Sequence, residues 1–305
     1  MRYDTSASVR AARELLYPDQ RSCISPPTQP QPQPQPVSAA KRAGGWQRAV
    51  TPEQILKSFS TRAFKREKPD QPELMLRCIA EAHACRAPIP FVQYWGKGLR
   101  PALAAPEFTC LDFLDSMMFR IAEIYEPGAD FTLVFTDTHA ALNGHSQASI
   151  HSYFQDLVLA TRGRRFKTCL LSNLVDEAGL RPDEMLERQV PPPDLLAELR
   201  TSAAKWFKGE GSVDEGAIRY FQANMLERKV MQRAFPRSIF VTFNGSHLKS
   251  LFPDGLPIFY MFSLCHGISD KPWFLPPDFT GRQPRLNEQS SAPFPAGGPR
   301  GGPAL

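Results

Sequence analysis

EFTCLDFLDSMMFRIAEIYEPGADFTLVFTD, running from Glu107 to Asp137, is the stretch whose reading decides the fold. Leu111, Leu114, Met118, Ile121 and Ile124 recur at three- and four-residue steps, the spacing of one helix face. Pro127-Gly128 ends that helix. Phe131 to Phe135 then runs as unbroken apolar sequence, as a strand buried on both faces does. A long helix feeding a doubly buried strand is a unit of a parallel sheet.

Working outward, the same alternation continues. Helices are expected over 52–64, 72–86, 147–162, 173–190, 194–208 and 213–234, with Thr51 capping the first and Pro72 opening the second. Strands are expected at Pro90 to Trp95, Phe166 to Leu171 (read as buried), Ser238 to Phe243 and Pro257 to Ser263. Only thirteen residues, Asn244 to Leu256, join the last two strands. That is short for a crossover helix, so the pair is expected to be antiparallel. The expected fold is α/β: a mostly parallel, mixed, Rossmann-like sheet with helices on both faces and a C-terminal antiparallel hairpin.

Of the 30 prolines, seven lie in residues 1–45 and seven in 276–305. The run Pro26 to Pro36 is expected to be extended polyproline II. Both ends therefore read as disordered tails, 1–45 and 276–305, flanking a single α/β domain at 46–275. The chain has 305 residues and is 42% hydrophobic, enough for a large core. It has no apolar run long enough to span a membrane and no apolar leader at its start. Six cysteines without a CxxC pair suit reduced thiols, and the expected location is cytoplasmic. A net charge of +5, spread along the chain, lacks the dense basic stripe of a nucleic-acid binder.

In such a sheet, ligands bind beyond the carboxyl ends of the strands. That rule selects the loops Gly96-Lys97-Gly98, Thr136 to His139, Ser172-Asn173 and Asn244 to His247. Lys97, between two glycines and next to Tyr94 and Trp95, can meet a phosphate or carboxylate, or form a Schiff base with a ketone. Its plain reading is a solvated lysine on a turn. Asp137 and His139 can be an acid/base pair, or two ligands of a two-His-one-carboxylate metal site with His145 or His151. They can equally be satisfied loop polars. Asn244 and His247 either bind substrate or simply turn the chain. Trp273, after the last strand, is expected to cover something apolar. No G-x-S-x-G elbow and no G-x-G-x-x-G after a strand are present, which disfavours a serine hydrolase and a dinucleotide site. Cys169, inside an apolar strand, reads as inert.

From Ile89 to Trp273 the order of features resembles the pyoverdine/dityrosine biosynthesis family, the isonitrile synthases and their relatives. The resemblance is strongest over Glu107 to Asp137, where I-x-x-I-Y-x-P-G leads into an apolar strand and an Asp. It recurs in Arg233 to Asn244 (RAFPRSIFVTFN), and Lys97 falls where the family has a lysine after its first strand. The resemblance implies an enzyme without metal or redox cofactor. It would join the amine of an amino acid, typically tyrosine or tryptophan, to a carbon from ribulose 5-phosphate. The product would be an isonitrile or an N-formyl compound, with a downstream oxygenase as a possible pathway partner. Carried over, Lys97 would engage the sugar carbonyl or phosphate, Asp137 protons or the amine, and Arg237 a phosphate, or play a structural part. Lys97, Asp137 and His139 are thus the candidate catalytic residues. Trp95, Arg100, Arg237, Asn244 and His247 are the candidate substrate contacts. The family's S-D-G-R is here Thr136-Asp137-Thr138-His139, so a titratable His replaces a fixed cation. A divergent substrate, a metal-dependent enzyme on Asp137 and His139, and an interaction protein using its proline-rich end stay open as alternatives.

Overall fold

The computed structural model describes residues 50–180, 190–263, 266–268 and 270–281. Most of both expected tails, Cys23, Cys265 and the end of the helix expected over 173–190 lie outside the described residues. The elements run α1 (Pro52–Phe59), α2 (Pro72–Ala84), β1 (Ile89–Trp95), α3 (Ala105–Ala122), β2 (Ala129–Phe135), α4 (Asp137–Leu142) and α5 (Gln147–Thr161). They continue with β3 (Phe166–Leu170), α6 (Leu171–Glu177), α7 (Pro193–Trp206), α8 (Val213–Ala234), β4 (Ile239–Thr242) and β5 (Ile258–Tyr260). Short 3-10 turns cover Ser246–Leu251 and Pro272–Phe274. Local chemistry starts the helices as expected. Thr51 and Gln54 cap α1 reciprocally, and Ser212 and Glu215 do the same for α8.

The strands form one sheet in the order β3-β2-β1-β4-β5. Alternate side chains feed two cores, because successive residues of a strand point to opposite faces. Phe91, Trp95, Phe131, Leu133, Phe135, Val241 and Phe259 pack under α1, α2, α3 and α5. Val92, Val134, Phe240, Ile258 and Tyr260 pack under α6, α7 and α8. Two apolar faces require two covering layers, which is why β1, β2, β4 and β5 read as almost continuous hydrophobic sequence.

Two expectations are corrected. β4 and β5 are parallel, through Phe240↔Ile258, Val241↔Phe259 and Thr242↔Tyr260, so there is no C-terminal hairpin between them. The connection needs no α-helix: the 3-10 turn Ser246–Leu251 rises faster per residue and carries the chain back. β3 is an edge strand, and of its residues only Cys169 is fully buried.

The order also locates a crevice. From β1 the chain steps to one side for β2 and β3, then crosses to the other side for β4 and β5. Strand order therefore reverses between β1 and β4. β1 pairs with β2 along its whole length, from Ile89↔Ala129 to Trp95↔Phe135. With β4 it pairs only at Phe91↔Ile239 and Val92↔Phe240. Past Val92 these two strands part.

Candidate active site

A cavity of about 210 Å³ opens where β1 and β4 separate. Gln93, Tyr94 and Lys97 line it from β1 and its loop, and Val241 to Asn244 from β4 and its loop. α7 and α8 contribute Leu199, Trp206, Tyr220 and Asn224, and Lys271, Trp273 and Phe274 close one side. That volume is many times what one water needs and suits a small metabolite.

Lys97 turns into this cavity because of the glycine before it. Gly96 takes φ +91, and a Cβ there would lie 2.7 Å from the Phe154 ring. Only glycine lets the chain leave β1 at that angle and pass that ring. The Lys97 ammonium donates to Asn224 Oδ1 at 2.7 Å and to Glu227 Oε2 at 2.9 Å. It lies 5.2 Å from the centre of the Tyr94 ring. The second oxygen of Glu227 meets His139 Nδ1 at 2.9 Å. His139 stacks on Tyr220 with ring centres 5.2 Å apart. Asn143 ties the group together: its amide donates to the Lys97 carbonyl and its oxygen accepts from the Tyr220 hydroxyl.

Glu227 is 2% exposed and sits between a lysine and a histidine. Burial alone raises its pKa, but Lys97 and His139 outweigh that and hold it down at about 2. The His139 imidazole is lowered, first by burial and then by the Lys97 charge, against the pull of Glu227. At neutral pH the histidine is therefore uncharged. Its Nδ1–H donates to the Glu227 carboxylate, which leaves the Nε2 lone pair as a base. On the closing segment, the Lys271 ammonium is brought down to about 8 by burial and by Lys97, with Asp270 pulling the other way. Among the cavity residues, Gln93 Oε1, the Tyr94 hydroxyl and Trp273 Nε1 are buried polar atoms that meet no hydrogen-bond partner among the described residues. Such atoms are costly unless a ligand or water meets them.

Of the residues singled out from sequence, Lys97, His139 and Asn244 come together here. Asp137 is absent from the lining, and its Oδ1 accepts from the backbone N–H of Ser172 at the start of α6. Trp95 is fully buried beneath the cavity, its Nε1 3.4 Å from the Tyr153 hydroxyl. Arg100 turns away, with Nε 3.1 Å from buried Glu107 and a terminal nitrogen donating to the carbonyls of Pro272 and Leu275. Arg237 is exposed just before β4, at the strand's opposite end, and His247 is 62% exposed, 4.0 Å from Glu198. Among the described residues, no group of three or more His, Cys, Asp or Glu side chains can hold a metal ion. None of their helices is long and apolar enough to cross a membrane.

Sequence reasoning missed Tyr220, Asn224, Glu227, Asn143 and Lys271. A signal existed for the first three. They follow one another at four- and three-residue steps on the face of α8 that also buries Ala217 and Met231. An amide and a carboxylate in a buried helical stripe are expensive unless they serve something.

Comparison of the structure finds PvcA from Pseudomonas aeruginosa, with a TM-score of 0.52 over 73% of this chain and 87% of that one. The chain has the fold of PvcA. PvcA is an isonitrile-synthase-like protein of the pyoverdine biosynthesis family that the sequence resembles. At 18% identity the likeness establishes architecture, not activity. Tyrosyl-tRNA synthetases from Archaeoglobus fulgidus (TM-score 0.43, 13% identity, 68% of this chain and 63% of that one) and Aeropyrum pernix (0.33, 13%, 72% and 65%) align less well. Neither bears on the site. No protein-family model matches the chain, and no curated protein sequence matches it significantly.

Proposed function

We propose that this protein is an isonitrile-synthase-like enzyme that joins the amine of an amino acid to a carbon of ribulose 5-phosphate. The observation that carries the proposal is the Lys97–Glu227–His139 assembly in the crevice between β1 and β4. The PvcA-like architecture and the family resemblance of the sequence support it. The lining suits an aromatic amino acid: Tyr94, Phe240, Phe243 and Phe252 surround the polar group.

The first bond to form would link the amine nitrogen to the ketone carbon. A neutral amine is needed, and His139 Nε2 is the base that takes its proton. The Lys97 ammonium donates to the ketone oxygen as charge develops there. That oxygen then leaves as water, and an imine remains. Glu227 is a positioning residue in this scheme. It holds the Lys97 ammonium in place and fixes the histidine tautomer, without touching substrate.

The test is mass spectrometry of reactions containing ribulose 5-phosphate and a panel of amino acids. The expected product has gained one carbon and lost two hydrogens relative to its amino acid. An N-formyl product would place the protein in the formamide branch. No product from any amino acid, with folded protein, would overturn the proposal.

A further inference from the structure

Two ammonium groups face the cavity, and they differ in what they meet. Lys97 and Lys271 both line it. Glu227 supplies one negative charge and spends both oxygens on Lys97 and His139. Glu198 also lines the cavity, half-exposed beside His247, and Asp270 acts on Lys271 from the neighbouring position without forming an ion pair. The Lys271 ammonium lies 5.2 Å from the centre of the Phe274 ring and has no hydrogen-bond or ion-pair partner among the described residues. Two residues on, Trp273 carries an indole N–H that is buried and equally without a partner. Both belong to the segment that closes the cavity.

That segment is held rigidly. Arg100 donates to the carbonyls of Pro272 and Leu275, the two sides of the 3-10 turn. The Trp273 ring meets Trp95 edge-on at 5.9 Å and approaches within 3.1 Å of where a Cβ on Gly98 would lie. An ammonium and an indole donor, both without a partner among the described residues and carried on one anchored segment, offer donors for an oxyanion.

We propose that Lys271, with Trp273 Nε1 from the same closing segment, is the subsite that grips the anionic group of the substrate, a carboxylate or a phosphate. The assignment rests on reading the cavity as a substrate site and is independent of the reaction proposed for it. Lys97 then keeps its ammonium for chemistry, while Lys271 sets which molecules bind.

Isothermal titration of the full chain with L-tyrosine, ribulose 5-phosphate and inorganic phosphate tests this. The wild type is expected to bind at least one of them, and Lys271→Met to bind that one at least tenfold more weakly. Lys271→Arg, which keeps the charge, should recover most of the loss, and Trp273→Phe should cause a smaller one. Weakening of tyrosine alone identifies the carboxylate. Weakening of the two phosphates alone identifies the phosphate. Lys271→Met binding every probe within twofold of a wild type that binds would overturn the assignment, as would a wild type that binds none. Thermal melts of both Lys271 variants establish that they are folded. Lys271-dependent binding without product refutes the proposed reaction and leaves this subsite standing. Product formation with unchanged binding in Lys271→Met does the reverse.

Discussion

Lys97 and Arg100 stand three residues apart on one loop, and each pairs with a buried glutamate, yet the two pairs do opposite work. Arg100 meets Glu107, which is wholly buried, and one of its terminal nitrogens donates to the carbonyls of Pro272 and Leu275. Burial pushes the Glu107 carboxyl up, with Arg100 opposing. Tyr153 adds a further hydrogen bond at 3.3 Å. Lys97 meets Glu227, but its side chain stays 22% exposed to the cavity. Glu227 is driven down to about 2 and carries a histidine on its other oxygen. A buried ion pair becomes a clamp when it also ties down backbone inside the protein, as Arg100 does at Pro272 and Leu275. It becomes a site when one partner keeps a face toward space a ligand can enter. The planar guanidinium suits the first role and the compact ammonium the second.

The sharpest way to break the comparison is Glu227→Gln. It removes the charge that holds both Lys97 and the His139 tautomer. Turnover, read by product mass spectrometry, should fall by about 10²-fold or more. Denaturant melts should show a loss of about 3 kcal/mol, because Lys97 is left beside a neutral amide. Loss of stability with full turnover would make this pair a second clamp.

Arg100→Lys comes next. A lysine cannot span a carboxylate and two carbonyls at once, so stability should drop by about 1–2 kcal/mol. The closing segment loosens, and KM should rise several-fold with kcat nearly kept. A fall in kcat alone would place Arg100 in the chemistry.

Proton linkage gives a third, smaller effect. His139 titrates below its ordinary 6.5 in the folded chain, so the unfolded chain binds more protons as pH falls through that value. Glu227 repeats this between 4.5 and about 2. Both terms favour folding at neutral pH and are lost toward acid. His145 and His266, also lowered by burial, add the same sign. Tm should therefore decline from pH 7 to pH 5, and His139→Gln should flatten the upper part of that decline. Glu107 and Asp115, raised by burial, carry the opposite sign, so the check is the difference between the two profiles: identical curves for wild type and His139→Gln would contradict a buried neutral His139.

The smallest effects belong to Arg237→Ala and His247→Ala. Both side chains are exposed, one at the far end of β4 and the other beside the rim. Each should change stability by no more than about 0.5 kcal/mol and leave turnover within twofold. A larger loss of turnover would give these residues a part in binding that their positions do not suggest.

Much of this was legible along the chain. The Leu111 to Ile124 stripe and the Phe131 to Phe135 run led directly to α3 and β2. The carboxyl-end rule led to Lys97 and Asn244, and the departure from the family pattern to His139, three residues that the fold brings to one cavity. The direction of β5 was not legible, because a 3-10 turn is too short to leave a periodic pattern. That Arg100, a candidate substrate contact, meets Glu107, and Asp137, a candidate catalytic residue, meets the Ser172 backbone was not legible, because a sequence displays charge and hides its partner.

The sequence by itself determined the alternation of elements, two apolar faces on most strands and a lysine freed by glycine. Those follow from local periodicity and backbone sterics, which act between near neighbours. Only the tertiary structure decided the site. Lys97 and Glu227 are 130 residues apart, and His139 and Glu227 are 88 apart. The parting of β1 and β4 at the crossover opens one cavity that both α8 and the closing segment line, where Lys97 is paired and Lys271 has no partner among the described residues.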